Sequence, residues 1–580
     1  MSIFNKTWKF YEPAPAEFLS LENEYPDALK QLFWNRDLRN KDDLDEFLSS
    51  DYKKHTHDPF LLTDMDRAAK RILEAIDNKE KIYIYGDYDA DGVCASVLLK
   101  EGLEKLGADN VPVYIPHREE EGYGMSIEAL DKIIEEGAQL IITVDCGSTN
   151  VEEAKHAEEK GVDVIITDHH HVFEADSFSY ALINPHRPKD KYPFKNISGT
   201  VVAFKLVQAC IQKSKEDSFT LDEAKWLLDL VAIATVADVM PLTGENRVFA
   251  KYGLIVLALA KRPGVKVLME ISGIDPKYNN KEKTTNLDTF HIGFVIAPRI
   301  NAAGRMDHAR LAFDLLTAPD TNSARALARK LETKNEDRKN LVKDIISEIN
   351  TDSFSKDPAI FEGKSEWPIG VLGIVAGRFA ENHNKPSFIY QKQKDKIVGS
   401  ARTPSYANTI NILEQCGDVL VKFGGHAQAG GFTAEIDQES ALKTEIINAV
   451  SEQIKSLDEE DIMPFVKIDT ELSADDINWE LYKLVEACGP FGERNPKPIF
   501  LIKNATASGV RAVGAQGDHL KCDILANNGK RFSAIGFRFG DVVNEINDGD
   551  KIDVVFELDK NEWNGNSELQ LKLVDIKKLS

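Results

Sequence analysis

Paired cysteines are missing from this chain. Its six cysteines are scattered from Cys94 to Cys522, and no two of them form a CxxC pair. This spacing suggests neither a zinc knuckle nor a disulfide framework. Free thiols are typical of the reducing cytosol, so we expect a cytoplasmic protein.

Long apolar runs and positive charge are also scarce. No stretch of 18 uncharged apolar residues occurs, and residues 1–9 lack the apolar core of a secretion signal, so no membrane span is expected. Lys and Arg number 71 against 95 Asp and Glu, a net charge of -24. That balance argues against a general nucleic-acid coat. A local basic groove and bound metal ions can reverse the field at one site, so a nucleic-acid enzyme stays open.

The length of 580 residues predicts three or four domains. Residues 1–75 suggest short helices, and a strand-helix rhythm begins near residue 76. Residues 321–354 suggest a long helix that is polar all round from Glu332 to Asn340, which is typical of a helix that bridges domains through solvent. A second α/β unit is predicted over residues 355–460. Residues 461–580 suggest a linker followed by five short strands, with turns such as Asn527-Asn-Gly and Asn564-Gly-Asn, typical of a small OB-like β-barrel.

Three apolar runs in the first α/β unit each end in an acidic or histidine-rich cluster. Ile82–Tyr85 precedes Asp87, Leu140–Val144 precedes Asp145, and Val164–Thr167 precedes Asp168-His-His. Such runs are typical of buried parallel strands. The helices expected between them, 98–106, 127–136 and 151–160, each end before a glycine, with Ser126 and Asn150 as expected N-caps of the second and third. The pattern predicts a doubly wound parallel sheet with its active site at the carboxyl ends of the strands.

The loop after the first strand carries Asp87, Asp89 and Asp91, followed by Gly92. Three carboxylates this close repel one another unless a positive charge lies between them. An EF-hand would need a bidentate Glu at the twelfth position, where Leu98 stands. Hard oxygen ligands suit Mg²⁺ or Mn²⁺, and the imidazoles that follow Asp168 favour Mn²⁺. A further carboxylate, Asp238, comes directly after the apolar run Leu227–Val236, where it is costly unless paired or metal-bound.

These segments resemble a known family. Asp87-Tyr-Asp-Ala-Asp-Gly, Val144-Asp-Cys-Gly, Asp168-His-His and Val236-Ala-Asp-Val-Met-Pro-Leu look like the four ordered motifs of the DHH phosphoesterase superfamily. Ala297-Pro-Arg-Ile-Asn-Ala-Ala-Gly-Arg-Met resembles the next motif of its RecJ branch. Phe423-Gly-Gly-His with Ala429-Gly resembles the DHH-associated domain, and Pro490 to Phe500 resembles the start of the RecJ OB domain.

The resemblance implies an α/β fold with a two-lobed core, in which a DHH domain (76–320) and a DHH-associated domain (355–460) are joined by a long helix (321–354). A helical extension (1–75) precedes the core and an OB-fold domain (461–580) follows it. It also implies a single-strand-specific 5′→3′ DNA exonuclease that uses two Mn²⁺ or Mg²⁺ ions and acts in repair and recombination. Single-stranded DNA is the expected partner, together with a single-strand-binding protein and a helicase.

Site roles follow from the same resemblance. It implies that two metal ions are held by five residues, with Asp145 as the bridging ligand: Asp87, Asp89, Asp145, His169 and Asp238. His170 is expected to face the scissile phosphate, and Asp91 to orient the loop. Phosphate and strand contacts are expected from six residues: Arg118, Arg305, Ser400, Arg402, Gly425 and His426. Arginine suits phosphate because its planar fork donates two hydrogen bonds at once.

Two positions depart from the family pattern, and two other functions stay open. Pro368 stands where relatives usually carry a polar residue, and Arg494 stands where glycine is common. One alternative is a phosphodiesterase for short oligonucleotides or cyclic dinucleotides, or a pyrophosphatase, although the β-rich tail disfavours small substrates. The other is an inactive DNA-binding scaffold, which the presence of all five expected ligands disfavours.

Overall fold

The computed structural model describes residues 2–21, 25–172, 178–215, 219–563 and 566–579. Within its described residues the N-terminal segment contains one strand, a 3-10 turn (Pro59–Leu61) and four α-helices: β1 (Thr7–Phe10), α1 (Ala16–Leu21), α2 (Asp27–Asn35), α3 (Lys41–Ser49) and α4 (Met65–Asp77). The sequence patterns predict the helices but not β1, which forms a parallel pair with a strand more than 450 residues away along the chain. None of the helices in the described ranges is long and apolar enough to cross a membrane.

The first lobe is built on a five-stranded, fully parallel sheet. Its elements in chain order are β2 (Ile82–Gly86), α5 (Ala90–Lys105), β3 (Val113–Tyr114), α6 (Ile127–Glu135), β4 (Leu140–Val144), α7 (Val151–Glu159), β5 (Asp163–Thr167) and β6 (Ala181–Ile183). The spatial order is β3-β2-β4-β5-β6. The predicted parallel sheet is therefore confirmed, and β3 and β6 add two short strands to the three that were predicted.

Two local predictions need correction. Helix α5 begins at Ala90 rather than Leu98, because the Asp89 side chain accepts hydrogen bonds from the amides of Asp91 and Gly92 and so caps the helix there. Ser126 caps α6 as predicted. Asn150 makes no cap bond to α7, since its side chain instead bonds both backbone groups of Met125.

Helices complete the first lobe. They are α8 (Gly199–Lys213), α9 (Leu221–Ala224), α10 (Leu228–Ala237), α11 (Gly244–Leu259), α12 (Pro263–Ile271), α13 (Ala297–Met306) and α14 (Arg310–Leu316), with a short hairpin of β7 (Tyr278–Asn279) and β8 (Thr284–Thr285). A π-helical turn, His291–Ile296, leads directly into α13. Helices α5, α8 and α10 are buried along most of their length and form the centre of the lobe.

Helix α15 (Thr321–Glu348) joins the two lobes. Its first half places Ala324, Ala328 and Leu331 in the core of the first lobe, and its second half places Val342 and Ile345 in that of the second. The prediction of a fully solvated middle is wrong on one face. Asn335 is buried there, and Glu332 pairs with Arg299 of α13 at 2.5 Å, because α13 packs along this stretch.

The second lobe is a mixed five-stranded sheet in the order β12-β13-β11-β10-β9. Its elements are β9 (Ile360–Lys364), α16 (Ile369–His383), β10 (Ser387–Lys392), β11 (Lys396–Arg402), α17 (Thr409–Gln415), β12 (Lys422–His426), β13 (Ala429–Glu435) and α18 (Glu439–Ile454). Only β9 and β10 are parallel. Strand β12 lies at the edge, and all five of its residues are exposed.

The C-terminal region closes into a five-stranded barrel. It contains α19 (Glu459–Ile462), β14 (Phe465–Ile468), β15 (Thr470–Glu471), α20 (Trp479–Ala487), β16 (Phe500–Val513), β17 (His519–Leu525), β18 (Arg531–Gly536), β19 (Lys551–Trp563) and β20 (Asn566–Lys578). Pairing of β16 with β19 closes the ring, which confirms the predicted OB-like barrel. The turn predicted at Asn564-Gly lies outside the described residues.

The N-terminal segment packs on this barrel. Strand β1 pairs with β14, and apolar side chains of α1 to α3 share one core with the barrel, among them Phe18, Leu29 and Phe33. The two ends of the chain therefore form one structural unit. Sequence patterns could not indicate this, because the paired segments are far apart along the chain.

Candidate metal centre and interlobe cleft

Four polar residues follow the ends of neighbouring strands in register. Gly86 is opposite Val144, Val144 is opposite Thr167, and Thr167 is opposite Ile183. The next residues are Asp87, Asp145, Asp168 and Asn184, so the sheet itself brings them side by side at its carboxyl edge. This is where ligands bind in open α/β sheets.

Glycines on two helices let the carboxylates approach closely. A Cβ on Gly92 of α5 would lie 2.6 Å from the Asp87 side chain, and one on Gly199 of α8 would lie 2.5 Å from Asp145 Oδ1. Any larger residue would push the carboxylate away. Asp145 has φ of 62°, a left-handed conformation that is uncommon for a residue other than glycine.

Asp91 is occupied by the backbone of α8. Its two carboxylate oxygens accept hydrogen bonds from the amides of Gly199 and Thr200 at 2.7 and 2.8 Å, and its side chain is fully buried. Asp91 thus ties the acidic loop to the N-terminus of α8, where a negative charge is favourable. Its Oδ2 is 3.7 Å from His169 Nε2.

The structure brings the five expected metal ligands together. Ligand atoms of Asp87, Asp89 and Asp145 lie within 4.8 Å of one another, as do those of Asp145, His169 and His170. A third group of the same size consists of Asp91, His169 and Asp238. Asp145 and His169 therefore each belong to two groups, and Asp145 lies between the acidic loop on one side and the histidines on the other.

The bonding of these side chains fits divalent cations. Asp87 Oδ1, Asp145 Oδ1 and Asp238 Oδ2 are buried without a hydrogen-bond partner. His169 Nε2 is 3.1 Å from Asp145 Oδ1, yet their geometry is not that of a hydrogen bond. Burial, and then the neighbouring carboxylates, raise the pKa of Asp87, Asp145 and Asp238 well above the ordinary value. Such a cluster is costly unless cations compensate it.

The two histidines differ in charge. Burial lowers the pKa of His169, which favours the neutral form that binds metals. Burial also opposes the charge of His170, but a 2.8 Å hydrogen bond from Nδ1 to Asp168 raises its pKa to about 9. Asp168 accepts further bonds from the amides of Ser148, His169 and His170, so it orients the histidine pair.

Several residues of this edge were not predicted from the sequence. Asn184 donates to Ser148 Oγ and to the His170 carbonyl, both at 2.8 Å. The Tyr123 hydroxyl lies 2.9 Å from His170 Nδ1, and Asn301 of α13 accepts from the Ala90 amide. Asn184 alone carries a readable signal, because it follows the short apolar run of β6.

Three arginines lie together across the cleft. The guanidinium of Arg118 lies over the Tyr88 ring, Arg305 donates to the Gly370 carbonyl, and Arg402 donates to Ser400 Oγ at 3.0 Å. In the described part of the chain none of the three makes an ion pair. Burial, followed by repulsion from neighbouring arginines, lowers the pKa of Arg305 to about 10, so it stays charged at neutral pH. Unpaired clustered cations of this kind suit an anion.

Ser400 and Arg402 lie on one face of β11, as their spacing predicts. Beside them, β12 brings Gly425 and His426 to the cleft. Gly425 has φ of 141°, and a Cβ there would lie 2.3 Å from the Ala429 carbonyl oxygen, so the position requires glycine. The His426 ring is 5.8 Å from that of His171, which joins the second lobe to the histidine side of the metal centre.

The two departures from the family pattern have clear positions. Pro368 is the N-cap of α16 and makes no side-chain cap bond. Arg494 has φ of 56°, which explains why glycine is common there, and it lines a cleft of about 470 Å³ together with His170, His426 and Asp238. The start of the barrel domain therefore reaches the metal centre.

Comparison with known families agrees with this architecture. The DHH family N-terminal domain matches residues 81–235, the DHHA1 domain matches residues 356–456, and the RecJ OB domain matches residues 468–575. The matched domains thus define the architecture of a DHH phosphoesterase, with two lobes around its site.

Comparison with curated relatives identifies the family within the DHH phosphoesterases. Proteins named single-stranded-DNA-specific exonuclease RecJ are 38% identical in Bacillus subtilis, over 90% of this chain, and 31% identical in Salmonella typhimurium, over 97% of both chains. The chain belongs to the RecJ family of exonucleases. It spans 64% of the length of the B. subtilis relative.

Solved structures lead to the same family. The RecJ structure from Thermus thermophilus in complex with Mn²⁺ matches all of this chain and 80% of its own, with a TM-score of 0.83 and 27% identity. The same protein with Mg²⁺ gives a TM-score of 0.77 and 26% identity. A manganese-bound exonuclease RecJ covers 69% of this chain at 32% identity and a TM-score of 0.58. Both metals expected from the sequence thus occur in relatives.

Proposed function

We propose that this protein removes nucleotides from the 5′ end of single-stranded DNA by hydrolysing phosphodiester bonds at the strand edge of the first lobe. The observation that carries the proposal is the set of converging carboxylate oxygens without partners, which face unpaired arginines across the cleft. An acidic edge suits cations and a basic wall suits phosphates. A strand held between them would have its backbone next to both.

Five side chains would hold two Mn²⁺ or Mg²⁺ ions: Asp87, Asp89, Asp145, His169 and Asp238. Asp145 and His169 each belong to two of the three ligand groups. Of the two, the Asp145 carboxylate has two oxygens on one group that can serve two ions, which supports its role as the shared ligand. When bound, such ions supply an activated water and compensate charge on the phosphate. Asp91 contributes by position, since its bonds to α8 fix the loop that carries Asp87 and Asp89.

His170 would donate a hydrogen bond to the scissile phosphate. Asp168 holds its Nδ1, which leaves Nε2 to face the cleft. Arg118, Arg305, Ser400, Arg402 and the backbone of Gly425, with His426, would bind the end of the strand. Of these, Arg402 is already oriented by Ser400 Oγ, so little side-chain entropy is lost on binding.

The barrel would bind the strand beyond the site. The barrel region carries three phenylalanines on which bases could stack, Phe532, Phe537 and Phe539, and one of them is available. Phe532 lies in the barrel core and Phe539 packs on Phe4 at 4.4 Å, whereas Phe537 is 51% exposed. A role in DNA repair and recombination, and partnership with a single-strand-binding protein and a helicase, rest on the family resemblance, whereas a cytoplasmic location rests on the unpaired cysteines.

End-labelled strands test the proposal. With Mn²⁺ or Mg²⁺, a 3′-labelled single strand should shorten progressively, whereas a 5′-labelled strand should release its label at once as a mononucleotide. Excess EDTA should stop the reaction, and added metal should restore it. The matching duplex should be degraded far more slowly. Activity that persists in EDTA, or label patterns that indicate the opposite polarity, would contradict the proposal.

A further inference from the structure

The loop that joins β3 to α6, residues 115–126, brings a tyrosine to the metal centre. Tyr123 lies between Gly122 and Gly124, which have φ of 82° and 88°, so the chain turns sharply on both sides of it. The residue is 44% exposed, yet its hydroxyl lies at the strand edge beside His170 and Asp145. None of the roles proposed for the metal ligands, the histidine pair or the arginines involves this hydroxyl.

The chain is anchored directly after Tyr123. The Tyr85 hydroxyl donates to the Gly124 carbonyl at 3.0 Å, and Asn150 bonds both backbone groups of Met125. A Cβ on Gly124 would lie 2.5 Å from Asn150 Oδ1, so this close approach requires glycine. The backbone of the loop therefore holds Tyr123 at the strand edge independently of the bonds that its own hydroxyl makes.

The hydrogen-bond partners fix the direction of each bond at the hydroxyl. His170 Nδ1 is 2.8 Å from Asp168 Oδ1 and 2.9 Å from the Tyr123 hydroxyl. Asp168 accepts from three backbone amides, which favours its ionised form, and an ionised carboxylate can only accept. His170 Nδ1 therefore carries the proton. The hydroxyl accepts from it and directs its own proton to the Asp145 carbonyl oxygen, 3.3 Å away.

One imidazole nitrogen is thus shared between acceptors from two different segments. Asp168 follows β5, whereas Tyr123 belongs to the loop before α6. With Asp168 alone, the His170 ring could pivot about its single bond. The second acceptor restricts this motion, as does the Tyr123 ring, which meets the His170 ring at 64° with centroids 5.3 Å apart. The direction of Nε2, the nitrogen that would reach the scissile phosphate, is therefore set from two sides.

The same hydroxyl also reaches the backbone of a proposed metal ligand. Its partner is the carbonyl of Asp145, the residue whose left-handed backbone conformation places its side chain between the ligand groups. A phenol keeps its proton at neutral pH, so the hydroxyl can donate here while it accepts from His170. Tyr123 therefore connects the phosphate-facing histidine to the strand end that carries the shared ligand.

We propose that Tyr123 is a positioning residue for the hydrolysis: its hydroxyl joins His170 Nδ1 to the Asp145 carbonyl and so fixes the direction in which His170 Nε2 donates to the scissile phosphate. The inference rests on the proposed nuclease function and adds to it a residue that acts through another. Tyr123 therefore contributes to the rate of the chemical step and not to the affinity for the strand.

Cleavage of a short single strand in saturating Mn²⁺ tests this role. Tyr123→Phe keeps the ring and removes the hydroxyl, so it should lower kcat about 10-fold, the net effect of one hydrogen bond, and leave KM unchanged. Stabilisation by Mn²⁺ in thermal unfolding should persist, because no expected ligand is lost. A raised KM with a normal kcat would show that Tyr123 contacts the strand instead. Normal values of both would show that the hydroxyl has no role in catalysis, and either result overturns the proposal.

A double-mutant cycle shows whether Tyr123 acts through His170. His170→Ala removes the imidazole, so Tyr123→Phe should cause no further loss in that background when single-turnover rates are measured over long incubations. Effects that multiply would refute the proposal, because they would show independent action. Tyr114→Phe is the matched control, since the Tyr114 hydroxyl bonds Glu121 of the same loop. Its kcat should equal that of the wild type, and a loss as large as in Tyr123→Phe would indicate general loosening of the loop.

NMR of protein labelled with ¹⁵N at histidine gives a readout that does not depend on cleavage. The Nδ1 signal of His170, identified by its absence from His170→Ala, should move in Tyr123→Phe and stay in place in Tyr114→Phe. A signal that Tyr123→Phe leaves unmoved overturns the proposal. If the signal moves but the wild type degrades no single strands, the nuclease proposal fails while the bond between Tyr123 and His170 stands. Circular dichroism of each variant separates these results from loss of fold.

Discussion

Replacing Asp145 with asparagine should stabilise the metal-free protein while it abolishes cleavage. The substitution keeps the shape of the side chain and removes one charge from a cluster whose ligand atoms lie within 4.8 Å of one another. Two ionised carboxylates at that distance repel by about 3.5 kcal/mol at an effective dielectric constant of about 20. Burial keeps part of the cluster protonated, so we expect a net gain of about 1–3 kcal/mol.

Thermal unfolding in EDTA measures this effect. A change of 1 kcal/mol shifts the midpoint by about 2–4 °C in a domain of 150–250 residues, so the variant should melt about 2–12 °C higher than the wild type. In saturating Mn²⁺ the order should reverse. A ligand present at 1,000 times its Kd adds about 4.1 kcal/mol to the wild type, and the variant should lose most of that gain.

Asp229→Asn is the matched control. Asp229 is also a buried carboxylate, but it pairs with Arg262 at 2.8 Å. Its replacement should destabilise the protein equally with and without metal, because the buried guanidinium of Arg262 loses a negatively charged partner. If Asp145→Asn is no more stable than the wild type in EDTA, the neighbouring carboxylates do not destabilise the metal-free protein through Asp145. If Mn²⁺ stabilises the variant as much as the wild type, Asp145 is not a metal ligand.

Three further results are expected. Asp168→Asn should lower kcat about 10-fold to 100-fold while metal-induced stabilisation persists, because the asparagine oxygen can still accept from the His169 amide whereas the charge partner of His170 is lost; an unchanged kcat would argue against an orienting role. Arg305→Ala should reduce the salt dependence of strand binding by about one phosphate contact. Arg310→Ala is the control and should leave it unchanged, because Arg310 is exposed and pairs with Asp314. Phe537→Ala should weaken binding of long strands by about 1–3 kcal/mol and leave cleavage of very short ones intact, whereas equal losses at both lengths would indicate a structural role.

Local sequence patterns predict most strands and helices around the sheet of the first lobe. Continuous apolar runs of about five residues are typical of strands in a parallel sheet whose two faces are both covered by helices. Glycines with positive φ end the helices between these strands. The polar residue after each run is then placed by the geometry of a parallel sheet. For this reason the sequence alone places Asp87, Asp145 and the Asp168-His-His segment at one edge of the sheet.

Other features depend on contacts between distant segments. Pairing of β1 with β14 and the shared core of the two chain ends involve residues over 450 positions apart, and local periodicity carries no information about such pairs. The same holds for Asn301, which bonds the Ala90 amide from another helix. Whether an aromatic side chain is buried is also decided by packing, as Phe532 and Phe537 show.

The sequence by itself determined the chemistry at the strand ends, because a strand of this kind must present the residue that follows it at the sheet edge. The tertiary structure alone decided how that chemistry is used. It showed that α8 occupies both oxygens of Asp91, that Asp145 lies between two ligand groups, and that arginines far apart along the chain meet across the cleft. Those relations arise from how helices and lobes pack, and the energy of packing depends on all partners together.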